Sequence, residues 1–381
     1  MSHLISDGCS TFDYSIGTAG RTPYRLQLNR LAGTMMLQPL LFHPILREKV
    51  WGGRFLEQLG KPLPPGTRIG ESWELADLPR SIPDGRSIIA VGPFAGLSLR
   101  EVITRERDAV MGRAALMPEP DNEQGFPLLI KFLDARENLS VQVHPDEAYI
   151  RKHPEAHLKS EAWIIIDADP GAVIYKGLKP GITREVFLDL LRSSRTLDAL
   201  QAVPARPGEC HYLPSGTVHA LGAGVVVAEV QTPSDTTFRL YDWGRDAAST
   251  GRGLHIEQAL ECMQFSPCPS EPQPPPTNAG GVRTQRLVRT SHFTIYQLDA
   301  RPGCDLAIVP SGMPEVWITL KGRGEIHPAI PAGSVITPMA LGSTILIPAS
   351  LLESNIVVAE PSTFLRITLP SSMDTMIAQA H

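Results

Sequence analysis

The chain has 381 residues, 42% of them hydrophobic and 20% charged, with a formal net charge of −5. That balance suits a globular protein long enough for two domains with separate cores. A charge so mild and evenly spread excludes nucleic acid and anionic membrane as natural partners, and no apolar run approaches the roughly 18–20 residues a spanning helix needs.

Residues 1–38 are polar and aperiodic and contain no continuous apolar segment of the kind a signal peptide needs. They are expected to form a flexible extension, or to precede a true start at Met35 or Met36. Further on, 32 Gly and 35 Pro punctuate short β-branched runs, the pattern of a sandwich or barrel. Strands are expected at 87–91, 162–166, 225–230, 334–337 and 344–347. Residues 98–111 suggest a helix with Ser98 as its N-cap. Between 181 and 203, Val186, Phe187, Leu190, Leu191, Leu197 and Leu200 recur at helical spacing, suggesting a second inserted helix. Residues 266–281 hold six prolines and read as a semi-rigid linker. Cys9, Cys210, Cys262, Cys268 and Cys304 are odd in number and show no CxxC pairing, as expected of thiols in a reducing cytoplasm.

Beyond the linker the chain reads as a worn copy of its first half. Glu161-Ala162-Trp163-Ile164 returns as Glu315-Val316-Trp317-Ile318, Gly208-x5-Pro214 as Gly342-x5-Pro348, and Val226-Val227-Ala228-Glu229 as Val357-Val358-Ala359-Glu360. Counting from the proline, Glu353 stands where His219 would recur, and no Gln-x-His precedes Glu315. The chemistry is therefore expected in the first half. The division is an extension at 1–38, a catalytic domain at 39–265, the linker at 266–281 and a second, degenerate domain at 282–381.

Four side chains of that first half are candidate metal ligands: Gln142, His144, Glu161 and His219. In Ser140-Val141-Gln142-Val143-His144-Pro145 the alternation of a strand puts the two valines on one face and Gln142 and His144 on the other. His219 closes Gly208-x5-Pro214-x-Gly216-x2-His219, which matches the second cupin motif except for Ala223 in place of its last Asn. Two imidazoles and a carboxylate suit Zn²⁺ with a position open for substrate, although iron or manganese accepts the same donors. The fold expected is mainly β: two cupin-type (jelly-roll) β-barrels with helices inserted beside the first. The wide gap between His144 and Glu161, filled by Asp146 to Ser160, is expected to form a short helix at the rim and points away from small-molecule dioxygenases.

A longer series of motifs carries a family resemblance. They are Val50-Trp51-Gly52-Gly53, Gly70-Glu71-Ser72-Trp73-Glu74, Leu129-Ile130-Lys131-Phe132-Leu133-Asp134 and Asn138-Leu139-Ser140-Val141-Gln142-Val143-His144-Pro145-Asp146. They continue with Lys159-Ser160-Glu161-Ala162-Trp163, Gly216-Thr217-Val218-His219-Ala220-Leu221-Gly222, Glu229-Val230-Gln231 and Ser234-Asp235-Thr236-Thr237-Phe238-Arg239-Leu240-Tyr241-Asp242-Trp243. Over about residues 39–370 the chain resembles type I mannose-6-phosphate isomerase (phosphomannose isomerase) in its shorter bacterial form. Thr232-Pro233 departs from the polar pair expected after Gln231.

The resemblance implies one zinc held by Gln142, His144, Glu161 and His219, a catalytic arginine at Arg239, an active-site lysine at Lys159, and further polar positions at Lys131, Ser140 and Arg245. Interconverting mannose 6-phosphate and fructose 6-phosphate through a cis-enediol needs a base near C1 and C2 and stabilisation of charge on O1 and O2. Lys159 shares a strand face with Glu161 and is the candidate base; a water held by the metal and a carboxylate are the alternatives. Arg239 and Arg245 suit a phosphate, and Arg239 could instead steady the enediolate. Trp51, Trp73, Trp163 and Trp243 are expected as core or pocket walls. The implied partner is a small sugar phosphate, with neither nucleic acid nor membrane, in a monomer or weak homodimer. The alternatives are an isomerase of another hexose phosphate and a non-catalytic sugar-binding cupin.

Overall fold

The computed structural model describes residues 37–116, 125–245, 253–266, 268, 273–309, 311–328 and 335–370. The expected extension lies outside these except for Leu37 and Gln38, as does much of the proline-rich stretch. Among the described residues no helix is long and apolar enough to cross a membrane.

Two pairs of antiparallel sheets build the molecule, one pair in each half, as the repeated motifs predict. In the first half a six-stranded sheet runs Ile45–Gly53, Ile69–Leu75, Leu129–Ala135, Val225–Gln231, Glu161–Ala168, Cys210–Leu213. It faces a five-stranded sheet ordered Phe238–Tyr241, Val141–Val143, His219–Leu221, Val173–Leu178, Leu200–Pro204. The second half has a seven-stranded sheet that includes Glu315–Lys321, Thr344–Ile347 and Ser362–Thr368, and a four-stranded one of Leu306–Ile308, Ser354–Val358, Gly324–Pro328 and Thr337–Met339. Leu40–Leu41, on the first domain's side of the expected division, pairs with Thr344–Ile347 of the second half.

Side-chain alternation explains the stacking. On the strand Glu161–Ala168, Trp163 and Ile165 point into the first barrel, where they meet Trp51, Leu133, Leu221 and Val227. Ala162 and Ile164 point out and join Ile130, Phe132 and Val230 in a core that also holds Val316, Ile318, Leu346 and Ile367 of the second half. The two large sheets thus share one core through their outer faces. Strands buried on both faces read as continuous apolar runs, which is why Leu129–Ala135 and Val225–Gln231 are buried at every position.

Several expectations change in detail. The helix expected at 98–111 is two helices, Leu99–Arg105 and Arg107–Met111, broken at Glu106. Ser98 and Glu101 cap the first reciprocally. The carbonyls of Ala109 and Val110 accept backbone N–H groups of Ser350 and Ala349 from the second half, which satisfies two acceptors that the last helical turn leaves open. Of 181–203 only Arg184–Arg192 is α-helical, followed by a 3-10 turn at Thr196–Ala199. Leu200–Pro204 instead pairs with Val173–Leu178, so an open sheet edge outweighed helical spacing. Residues 87–91 make only isolated bridges, through Ile88 and Ile89. The expected linker ends in a strand, Thr277–Ala279, hydrogen-bonded to Val282–Arg289. Asp146 caps the short helix Glu147–Lys152 inside the predicted rim insert.

One buried charge pair pins the two halves. Lys61 Nζ donates to Glu74 Oε2 at 2.6 Å and to the carbonyl of Gly342 at 2.8 Å, lying over the Phe132 ring. Both side chains are less than a tenth exposed. Removing Lys61 would leave Glu74 buried without its countercharge, held only by the Ser72 hydroxyl among the described residues. Lys61→Ala should therefore lower unfolding stability by about 3 kcal/mol, read as a lower denaturant midpoint at unchanged slope.

Candidate metal centre and active site

Register brings the predicted ligands together. Gln142 stands opposite His219 on one side and Arg239 on the other, and directly paired residues share a sheet face. On the facing sheet Gln231 pairs with Glu161, and Glu229 pairs with both Lys131 and Trp163. Val141 and Val143 turn away into the core under the helices, as the alternation predicted.

Ligand atoms of His144, Glu161 and His219 lie within 4.8 Å of one another, and all three residues are buried. His144 Nε2 is 3.4 Å from Glu161 Oε2, and His219 Nε2 is 3.1 Å from Glu161 Oε1. His144 Nε2 and both Glu161 oxygens nonetheless lack a hydrogen-bond partner, so the approach is close but misdirected for hydrogen bonding. Each ring is oriented from behind: His144 Nδ1–H donates to the carbonyl of Thr236 at 3.0 Å, and His219 Nδ1–H to that of Thr217 at 2.9 Å. This tautomer leaves both Nε2 lone pairs pointing at the pocket, the arrangement that metal-binding histidines use. Burial, with Lys159 adding to it, lowers His144 to about 3, so its imidazole is neutral. Burial opposes charge on Glu161 more than any one neighbour favours it, but Lys159, His144 and His219 together hold the carboxyl well below the usual range.

The set fits a divalent cation. A buried polar atom without a partner costs roughly 1–3 kcal/mol, more if charged, and one cation would satisfy three here. Gln142 Nε2 lies 3.2 Å from His219 Nε2, with Ser140 Oγ donating to its Oε1 at 3.3 Å. A half-turn of that amide presents oxygen to the pocket instead.

The other predicted residues surround this centre. Lys159 is buried, with Nζ 3.1 Å from Glu161 Oε2, in extended chain just before the strand. Lys131 is buried with Nζ 3.4 Å from Glu229 and 3.8 Å from Glu71, over the Trp73 ring. Burial disfavours its charge, yet Glu229 and Glu71 prevail and raise it above the ordinary lysine range. Arg245 donates to Asp242 at 2.6 Å and to the carbonyl of Asn138 at 2.8 Å. Trp163 packs edge-on against His219 at 5.4 Å and donates to Glu229, serving as a wall. Two carboxylates to which the sequence assigned no role, Glu71 and Glu229, complete the charge network. Their signal was an acidic residue inside a strand that is otherwise largely apolar, in Ile69–Leu75 and Val225–Gln231, both buried at every position. Beside Ser140 and Arg239 opens a small cavity of about 100 Å³, also lined by Glu48, Lys49, Val50, Trp51 and Asp242.

This geometry generates two expected outcomes. His219→Ala should fold but lose the bound divalent ion, measured as metal per chain by mass spectrometry after desalting. Glu71 is held below the usual glutamate value of 4.5: burial opposes its charge, but Lys131 and Lys49 win. Its contribution to stability is complete above pH 4.5 and drains away in more acid solution, where the unfolded chain takes the proton first. Glu71→Gln should thus be less stable at pH 7 and lose less between pH 4.5 and 3, as followed by thermal unfolding.

Comparison with known proteins bears on this pocket. The family model described as phosphomannose isomerase type I, catalytic domain, matches residues 40–165, which include Gln142, His144 and Glu161. Mannose-6-phosphate isomerase ManA of Bacillus subtilis (strain 168) is 31% identical over 322 residues, 84% of this chain and 96% of that protein. The mannose-6-phosphate isomerase of Streptococcus mutans serotype c is 34% identical over 264 residues, 69% of this chain and 79% of its own. The crystal structure of the mannose 6-phosphate isomerase from Bacillus subtilis superposes with a TM-score of 0.76 at 26% identity, covering 87% of this chain and 99% of that one. With similarity running through both barrels and nearly the full length of a relative, the chain belongs to the type I phosphomannose isomerases.

Proposed function

We propose that the protein is a zinc-dependent aldose–ketose isomerase that interconverts mannose 6-phosphate and fructose 6-phosphate through a cis-enediol. The observation that carries this is the buried His144–Glu161–His219 cluster, with its unsatisfied donor atoms, set directly beside a buried lysine. The names of the Bacillus and Streptococcus relatives support the substrate. Two imidazoles, a carboxylate and the amide oxygen of Gln142 form a donor set that zinc accepts. When bound, the ion supplies Lewis acidity at the sugar oxygens.

The protein's own groups divide the remaining work. Lys159 carries the proton: in the neutral form that an adjacent divalent cation would favour, its Nζ takes it from C2, the electron pair becomes the enediol double bond, the O2 proton passes to O1, and the same proton returns to C1. Lys131 is unsuited to that role, because its two carboxylates keep it charged; it supplies fixed positive potential instead. Arg239, opposite Gln142 in register, steadies negative charge on the sugar oxygens or the phosphate. Ser140 lines the phosphate end, and Lys131 and Arg245, each held by neighbouring carboxylates, support it from behind. We place the enzyme in the cytoplasm as a monomer or weak homodimer, with residues 39–265 catalytic and 282–381 a supporting barrel.

A coupled assay with mannose 6-phosphate, before and after chelation and zinc add-back, tests the reading. Turnover should vanish on chelation, return with zinc and be absent in His219→Ala. Lys159→Met should lower kcat by about 10²- to 10⁴-fold with zinc retained. A folded, zinc-loaded protein without turnover would sink the assignment.

A further inference from the structure

The strand Ile45–Gly53 does not run straight along its neighbour. Ile69 stands opposite both Glu48 and Gly53, so residues 49–52 leave the ladder as a broad bulge. Bulges of this kind gather beside active sites, where they re-aim side chains. Here the bulge lies flat because Gly70 beneath it has no side chain: a Cβ there would sit 2.6 Å from the Trp51 ring and 2.7 Å from Lys49 Cβ. Gly52 makes the same approach from above, since a Cβ on it would fall 2.4 Å from Gly70 N. Two glycines therefore hold Lys49, Val50 and Trp51 over the cavity that Ser140, Arg239 and Asp242 line from the other side.

Charge points to what the cavity takes. Of the cations around the pocket, Lys131 is enclosed between Glu229 and Glu71, and Arg245 is satisfied by Asp242 and the Asn138 carbonyl. The two that line the cavity are Lys49 and Arg239. Lys49 Nζ is oriented by Glu71 Oε1 at 2.9 Å, a carboxylate that also serves Lys131. Of the two acids on the cavity wall, Asp242 is already paired with Arg245, and Glu48 is exposed and screened by water. A hydroxyl, a lysine and an arginine converging on a small recess suit a phosphate dianion.

We infer that Lys49, carried on this bulge, binds the substrate's phosphate and sets the preference for a phosphorylated sugar. The inference rests on the isomerase reading above and extends it to a segment with no other assigned chemistry. Phosphate recognition there is uniform binding, made equally to ground and transition states, so its loss belongs in KM.

The test uses the zinc-loaded full chain with Lys49→Met and Lys49→Arg. Lys49→Met should raise KM for mannose 6-phosphate, and the inhibition constant of inorganic phosphate, by about tenfold or more, with kcat changed less than about threefold. Lys49→Arg should recover most of both constants. Zinc content and thermal midpoint, measured alongside, should stay near those of the parent. Unchanged KM and phosphate inhibition in Lys49→Met would overturn the inference, as would a fall confined to kcat. A Lys49→Met chain that fails to fold, beside a Lys49→Arg chain with unaltered phosphate inhibition but a lowered thermal midpoint, would also overturn it, showing that Lys49 serves only to pair Glu71. Wild-type turnover of mannose 6-phosphate is read first, so failure of the isomerase reading itself is seen separately.

Discussion

A carboxylate buried at the centre of a β-barrel is the constraint around which this protein is arranged. Glu161 is fully enclosed, and an ionised group there is costly unless other charges answer it. Lys159, His144 and His219 crowd within 3.1–3.4 Å of its oxygens without making directed hydrogen bonds to either one. The two histidines are turned by backbone carbonyls behind them, so their free electron pairs face the carboxylate instead of protons. Such an arrangement is half-finished as a hydrogen-bond network and could hold a metal ion.

The second barrel shows the same constraint resolved differently. Glu315 occupies the place of Glu161 on the corresponding strand and is equally buried. Register makes Trp317 and Arg366 partners there, where Trp163 and Glu229 are partners in the first barrel. Arg366 therefore stands where Glu229 does, and it donates to Glu315 at 2.7 Å while Trp317 donates to the other oxygen at 2.7 Å. The buried charge is satisfied from within the protein, which leaves nothing for a metal to do. Glu353, at the position of His219, faces solvent. This barrel presents its outer face to the core shared with the first.

Around the first barrel's centre, a ladder of alternating charge runs from Lys49 through Glu71, Lys131 and Glu229 towards Glu161. Burial and the neighbouring Glu161 carboxylate push Glu229 upwards, whereas Glu71, between two lysines, is held down. The polar interior of this end and the apolar interior around Trp51, Leu133 and Leu221 come from the same strands, read a few residues further along.

Much of the centre was legible in the amino-acid order because strand alternation is local. Val-Gln-Val-His states which side chains share a face whatever the strand is packed against, and the glycine and proline spacing before His219 states where a turn must come. The second barrel's lack of ligands was equally readable, because a missing histidine is a fact of sequence. Where competing hydrogen bonds decide, the order was silent or misleading: Leu197 and Leu200 keep helical spacing, yet the open edge at Val173–Leu178 drew Leu200–Pro204 into a sheet. The pairing of Glu71 with Lys49 and Lys131, the capture of Arg245 by Asp242, and the bulge that lays Lys49 over the cavity depend on residues far apart in the chain. Sequence alone thus determined the mainly β fold and the grouping of His144, Glu161 and His219, since both follow from residue type and short-range spacing. Only the tertiary structure decided which charges pair and which side chains line the cavity, because charge pairing is set by distance in space.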